Sequence, residues 1–312
     1  MVRRSMHSSS RTPSRRWLRL IGYGFASLLL LVLLLAALVY TVSEIRLRRG
    51  HDLKVAALAV PEGDESIARG RHLAATRGCA DCHGADYGGQ LVVQDPLIGQ
   101  LAGPNITRGR GGLPANVDDA DLVRAIRHGV AADGRALVML PSEEYSQLSD
   151  EDLGALIAFL KAQPAVDRER VPIKVGPLAR ALIVAGQIRL AAEHIDHVTP
   201  RPTRVEANVS AAYGQYLAAT CTGCHGSNLS GGRIPGGAPD WPQAANLTPH
   251  ETGRLAAWTE QDFFGALRQQ ERPDGSKLHP AMPAGFGQLT DDELKALWLF
   301  LRSLPAVATG TR

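Results

Sequence analysis

The feature that most constrains this 312-residue chain is a duplication built around two short cysteine motifs. Cys79-Ala-Asp-Cys82-His83 and Cys221-Thr-Gly-Cys224-His225 share the spacing C-x-x-C-H and contain all four cysteines. The surrounding sequence matches in the same order. Leu73-Ala-Ala-Thr76 recurs as Leu217-Ala-Ala-Thr220, Asn105-Ile-Thr107 as Asn246-Leu-Thr248, and Ala132-Asp-Gly134 as Pro273-Asp-Gly275. Leu148-Ser-Asp-Glu-Asp-Leu153 recurs as Leu289-Thr-Asp-Asp-Glu-Leu294. From the cysteines onward the offset stays between 141 and 143 residues. Two copies are too few for a solenoid. The pattern predicts two tandem globular domains, 62–165 and 208–307, joined by residues 166–207.

Each copy ends in a pattern that predicts a helix. Ser149 with Asp152 approximates a capping box, and Thr290 with Glu293 completes one. Leu153, Leu156, Ile157 and Leu160 follow the first cap; Leu294, Leu297, Trp298 and Leu301 follow the second. Both sets hold the i, i+3, i+4, i+7 spacing of one helix face. Pro164 and Pro305 stop the helices. An earlier helix should precede each cysteine pair, with Gly70 and Gly214 inside it. Glycine costs about 1 kcal/mol there, which points to another helix packed close against it. No strand alternation of any length is visible, and the Gly- and Pro-rich middles read as loop. In the connection, Pro172, Pro177, Pro200 and Pro202 mark linker, and Leu178–Ala192 reads as a short helix. The expected fold class is all-α.

C-x-x-C-H is the pattern of covalent haem attachment. Two cysteines one helical turn apart reach the two vinyl groups of one porphyrin. The adjacent histidine is then brought beneath the iron as its proximal ligand. Cys79, Cys82, Cys221 and Cys224 are therefore the expected attachment points of two haem c groups, and His83 and His225 their proximal ligands. An aromatic content of 5% beside an apolar content of 45% fits cores completed by something other than aromatic side chains. A thioredoxin-type redox pair needs no trailing histidine and sits beside a βαβ pattern, which is missing here. A shared zinc site needs its pairs some 15–20 residues apart, not about 140.

The sixth iron ligand is the next question. Met1 and Met6 lie in the N-terminal tail. Met139 and Met282 fall 56 and 57 residues after His83 and His225. A lone methionine is more often core filler; one per copy at matching distance reads as axial ligand. Leu140-Pro141 and Pro280-Ala281-Met282-Pro283 suit a loop crossing the far haem face. His279, three residues before Met282, is the rival. His128 aligns with Gln269 and is no shared device. His72, His194, His197 and His250 read as surface or core residues.

Ile21–Val42 carries no charge and includes the run Leu28–Leu35. Twenty-two helical residues span about 33 Å, enough for a bilayer core. Arg3, Arg4, Arg11, Arg15, Arg16 and Arg19 precede it, and Arg46, Arg48, Arg49 and Lys54 follow. That excess predicts a cytoplasmic basic tail over 1–20, an inner-membrane anchor over 21–42, and a periplasmic body. Ala36-Ala37 keeps a cleaved leader as the alternative. The net charge of +3 divides into +8 for residues 1–50 and −5 for the rest. A nucleic-acid binder would carry its positive charge on the folded part.

On these residues the two copies resemble class I cytochrome c domains. The whole resembles membrane-anchored dihaem cytochromes c of bacterial respiratory chains. The shared pattern is helix, C-x-x-C-H, Asn-[Ile/Leu]-Thr, an Asp-Gly turn, the methionine loop and the final capped helix, over about 200 residues. The resemblance implies helical domains wrapped around a haem, and a proline carbonyl steadying the proximal histidine. Pro104 fits that role, whereas Ala245 stands at the matching place. It further implies a single-electron carrier without catalytic residues. Its partners would be a donor cytochrome, dehydrogenase or quinol-oxidising complex, and an acceptor oxidase. The alternative is the cytochrome subunit of a membrane-bound dehydrogenase, many of which carry three such motifs. A dihaem peroxidase needs a five-coordinate iron, against which two placed methionines speak. A haem-based sensor lacks any signalling domain in the short tail.

Overall fold

The computed structural model describes residues 15–56, 58–238 and 240–311. Residues 1–14 of the expected basic tail, with Arg3, Arg4, Arg11, Met1 and Met6, lie outside the described residues. The chain opens with α1 (Arg15–Arg48). The first copy follows with α2 (Asp64–Thr76), α3 (Cys79–His83), β1 (Gln90–Asp95), β2 (Gly99–Gly103), α4 (Asp119–His128), α5 (Ser142–Tyr145) and α6 (Asp150–Lys161). The connection holds β3 (Lys174–Val175) and α7 (Pro177–Val184). The second copy holds α8 (Ala211–Ala218), α9 (Thr222–His225), α10 (Glu260–Gln269) and α11 (Asp291–Ser303).

Helix α1 is exposed on every side from Arg16 to Leu38. An all-apolar helix with no protein cover is long and apolar enough to cross a membrane. The rest divides into two principal cores. One gathers Leu73, Leu122, Ile126, Tyr145, Leu153, Leu156 and Ile157. The other gathers Tyr213, Leu217, Phe263, Leu267, Leu294, Leu297 and Leu301.

In each copy the terminal helices cross: α2 packs on α6 and α8 on α11. The caps form as expected. Ser149 Oγ accepts the Asp152 amide, and Thr290 and Glu293 bond reciprocally. Leu153, Leu156 and Ile157 are at most 1% exposed, and all of Asp152 to Leu160 is buried with them, so α6 is covered all round and not along one stripe alone. The crossings occur at Gly70 and Gly214. A Cβ on Gly70 would meet the Ala155 carbonyl oxygen at 2.0 Å, and one on Gly214 the Ala296 oxygen at 1.9 Å.

Two expectations about the middles need correction. Helices α4 and α10 stand where loop was expected. Asp118 and Thr259 cap them with full boxes that include Asp121 and Asp262. The strands form a small antiparallel sheet in the order β1-β2-β3. Strand β1 is exposed along almost its whole length, so no buried face imposed an alternation on its sequence. The connection's helix is shorter than expected, ending at Val184, with a 3₁₀ turn at Ala191–Glu193.

The copies meet through buried polar contacts. Asp152, 3% exposed, accepts from Arg69 Nε within its own copy and from the Tyr216 hydroxyl of the other. His72 Nε2 lies 2.8 Å from the Glu293 carboxylate.

Replacing Gly70 with alanine tests the close crossing. Helix propensity alone would stabilise by about 1 kcal/mol. Overpacking against a backbone carbonyl costs about 1–3 kcal/mol. The expected outcome is a net fall in the thermal midpoint of Gly70→Ala, followed by far-ultraviolet circular dichroism.

Candidate functional site

Each C-x-x-C-H motif forms one short helical turn ahead of a glycine. Gly84 (φ 79°) ends α3 and Gly226 (φ 83°) ends α9, both in a backbone region that favours glycine. The entries differ. Gly78 leads into α3 in the left-handed conformation, whereas a 3₁₀ turn, Ala219–Cys221, leads into α9. The i, i+3 spacing places the two cysteines of each motif on one side of the turn. Cys79 packs against the first core and Cys221 against the second. None of the four is in a disulfide. Burial pushes the Cys79 and Cys221 thiols up to about 12 and raises Cys82 as well.

The histidines are held alike. His83 Nδ1 lies 2.8 Å from the Pro104 carbonyl, and His225 Nδ1 2.7 Å from the Ala245 carbonyl. A carbonyl only accepts, so Nδ1 carries the proton and Nε2 keeps its lone pair, the arrangement of a metal-binding imidazole. Burial lowers the His83 pKa, with the Pro104 carbonyl pulling the other way. The bond uses a backbone oxygen, so alanine at 245 serves as well as proline at 104.

What fixes those carbonyls is the Asn-[Ile/Leu]-Thr repeat, which sequence reasoning noticed only as a repeat. Asn105 Oδ1 accepts from the Thr107 amide at 2.9 Å and hydroxyl at 2.8 Å, while Nδ2 donates to the Val166 carbonyl. Asn246 repeats this with Thr248 and the Val307 carbonyl. Both asparagines are at most 2% exposed. Each locks the residue after the carbonyl to the chain leaving its copy.

Met139 and Met282 sit in irregular segments before α5 and before the 3₁₀ turn Ala284–Gln288. Leu137, Val138, Met139 and Leu140 run consecutively and are all only half-buried. Met282 packs at the edge of the second core, with its amide on the His279 carbonyl. The rival, His279, is engaged otherwise. Its Nδ1 accepts the Ala281 amide at 3.2 Å and its ring stands 6.2 Å from Trp241. His128 and His197 pair with each other, their Nδ1 atoms 2.9 Å apart.

These residues fit a haem. Thiols one turn apart, an imidazole whose Nδ1 is tied to a backbone carbonyl, and an apolar loop ending half-covered are the parts such a group requires. The two motifs also lie close across the junction. Arg77, two residues before Cys79, donates to Thr220 Oγ1 at 2.9 Å, next to Cys221. Glu144 Oε1 lies 2.2 Å from where a Cβ on Gly223 would be, and Tyr145 donates to the Arg77 carbonyl at 2.9 Å. Burial raises Glu144 to about 7, against the pull of Arg77.

A family model described as cytochrome c matches residues 67–164 and 211–305. The chain is 28% identical over 282 residues to the cytochrome c subunit of alcohol dehydrogenase (quinone) from Gluconobacter oxydans (strain 621H), covering 80% of this chain and 57% of that protein. It is 27% identical to the fructose dehydrogenase cytochrome subunit of Gluconobacter japonicus, covering 78% of this chain and 53% of that one. It is also 27% identical to the gluconate 2-dehydrogenase cytochrome c subunit of Pantoea cypripedii, covering 81% and 63%. The chain thus spans just over half to under two thirds of these relatives.

Two outcomes follow from the geometry. Asn105→Ala leaves the buried Thr107 amide and the Val166 carbonyl without their side-chain partner and the Thr107 hydroxyl without its acceptor, at about 1–3 kcal/mol for each buried group left unpaired; the denaturant midpoint should fall accordingly. Glu144 has a folded pKa above its unfolded value, so its contribution is full below about pH 4.5 and lost as pH rises through about 7. Glu144→Gln should flatten that loss, with a gain at pH 8 of up to about 3 kcal/mol over the parent in urea unfolding.

Proposed function

The chain belongs to the cytochrome c family, and from that premise we propose that it is the electron-transfer subunit of a membrane-bound dehydrogenase. Family membership implies covalently bound haem c; in this proposal there are two, one in each of the domains 62–165 and 208–307. The group supplies reversible one-electron oxidation and reduction at its iron. Everything else is the work of this chain's residues.

The observation that carries the reading is the paired imidazole geometry. Both motifs end in a histidine whose Nδ1 is tied to a backbone carbonyl at 2.7–2.8 Å. Cys79, Cys82, Cys221 and Cys224 would hold the porphyrins. His83 and His225 would present Nε2 on one side, and Met139 and Met282 their sulfurs on the other. With a histidine and a methionine assigned to each iron, no ligand position would be kept for a substrate, and the chain would act as a carrier. This speaks against the peroxidase reading. The dehydrogenase setting is supported by the relatives, which are cytochrome subunits of alcohol, fructose and gluconate dehydrogenases. A respiratory carrier serving other donors is the second reading, kept by the anchor and the paired motifs alone.

Transfer between the copies is supported by the junction. The Arg77–Thr220 bond joins the residues leading into the two motifs, so the attachment turns are held within a side chain's length of each other. Helix α1 would anchor the chain in the inner membrane with its N-terminus in the cytoplasm and the two copies in the periplasm. The arginines before Ile21 support that orientation.

The test is a redox titration of the full chain in detergent with near-infrared spectra of its oxidised form. Two low-spin centres with methionine–iron charge-transfer bands are expected. Met282→Ala should lower the potential of one centre and abolish its band, leaving the other unchanged. A variant with both centres unaltered would remove Met282 from the ligand set and bring His279 forward. Copurification of the chain from its native membrane with a dehydrogenase subunit separates the first reading from the second.

A further inference from the structure

The point where α1 leaves its apolar stretch is fixed by side chains. Arg180 of α7 donates to Ser43 Oγ at 2.9 Å and to the Glu44 carboxylate at 2.8 Å, and stands 5.0 Å over the Tyr40 ring. Further along α1, Arg46 bonds the Ile183 carbonyl and the Glu193 carboxylate. Further still, Leu47 packs against a small cluster of Val130, Ala136, Leu190 and Ala192. Partner numbers on α7 rise with α1 numbers, from 180 opposite Tyr40, Ser43 and Glu44 to 183 opposite Arg46. The two segments therefore run the same way, and the start of α7 points back down α1. Val39, within the uncharged stretch, is already half-covered.

The turn between β1 and β2 is fastened to that start. The Gly176 amide donates to the Ile98 carbonyl at 2.8 Å and the Leu178 amide to the Leu97 carbonyl at 2.9 Å. A Cβ on Gly176 would meet the Leu97 oxygen at 2.4 Å, so the contact is tight. Leu178 precedes Arg180 by two helical residues, about 3 Å further down. Leu97 is 56% exposed and Leu178 41% exposed, and Pro96 beside them is exposed too. The carboxylate of Asp95 is engaged by the Leu97 and Ile98 amides, both at 2.8 Å. Lys174 is exposed nearby, long enough to lay its stem on apolar surface and its ammonium among phosphates.

We propose that the β1–β2 turn and the start of α7 form an apolar foot that rests in the bilayer interface beside α1. This rests on the reading of α1 as a membrane anchor. The occupant is lipid because the foot continues from α1 at the level of Tyr40, an aromatic of the kind that marks the membrane boundary, and descends from there. Two points of contact, anchor and foot, would fix the rotation of the haem domains about α1.

The test is photo-crosslinking of the full chain in phosphatidylcholine vesicles that carry a diazirine on the acyl chain, with adducts located by peptide mass spectrometry. Adducts are expected on 28–35 of α1 and on Leu97 and Leu178, at several times the yield on Val198, which is 89% exposed elsewhere. Adducts on α1 with Leu97 and Leu178 no higher than Val198 would overturn the foot and leave the anchor standing. No adduct on α1 would overturn the anchor, and the foot with it. A foot free of lipid in the vesicles but shielded from hydroxyl-radical labelling in a copurified complex would assign the patch to a protein partner and overturn the proposal.

Discussion

Each site depends on one hydrogen bond, from a histidine Nδ1–H to a loop carbonyl. That bond decides which ring nitrogen faces inward, and so whether the imidazole can serve a metal at all. It is available only because the carbonyl is immobile. Asn105 and Asn246 use both side-chain polar atoms on that immobility, joining the residue after each carbonyl to the chain that leaves the copy. The approach is close enough that Gly103 has no room for a side chain; its Cβ would strike the Cys82 oxygen at 1.9 Å. A buried asparagine with every polar atom satisfied is a rigid device, because any shift leaves an unpaired group behind.

The same reasoning extends to the junction between copies. Asp152 is a nearly fully buried carboxylate, and burying one is costly unless it is paired and hydrogen-bonded. Arg69 supplies the charge from its own copy, and Tyr216 supplies a hydroxyl from the other. Tyr216 also accepts the Ser149 amide at the cap of α6. One copy's helix cap is thus completed by the other copy. The elements after the two methionines behave reciprocally: α5 packs on α9, and the Ala284–Gln288 turn packs on α2. Separating the copies would strip polar partners from both, so they act as one body with the attachment turns at a fixed separation.

Much of this was legible in the sequence because it was enforced by local chemistry. The caps at Ser149 and Thr290, the stripes behind them, and the need for a close neighbour at Gly70 and Gly214 all follow from a few adjacent residues. The signals for α4 and α10 were equally local, Asp118 with Asp121 and Thr259 with Asp262, but short apolar runs among Gly and Pro hid them. The sheet left no trace because β1 faces solvent on both sides. The doubt over Ala245 arose from reading a side chain where the backbone acts. The partners of Asn105 and Asn246, 61 residues away in each copy, lie beyond any local rule. So do the contacts of Arg77 and Tyr216, which exist only once the two copies dock.

The way α1 joins the body bears on how the chain meets its partners. A flexible tether would let the haem domains sweep a volume and gain from effective concentration alone. Here α1 is gripped along its exit by Arg180, Arg46 and Leu47, and the chain after it bonds at His51 to the Gly134 carbonyl beyond α4. Arg46 with Glu193 and Arg180 with Glu44 are half-buried pairs, less screened than exposed ones. Such a joint holds its angle, so with α1 as the proposed membrane anchor the height and facing of each site would be set by the fold. A partner in the same membrane would then need only to diffuse laterally and match one orientation. That suits a chain whose task is to receive and release electrons at fixed edges, and it makes the side of α1 on which α7 sits the feature that decides which edge a neighbour can reach.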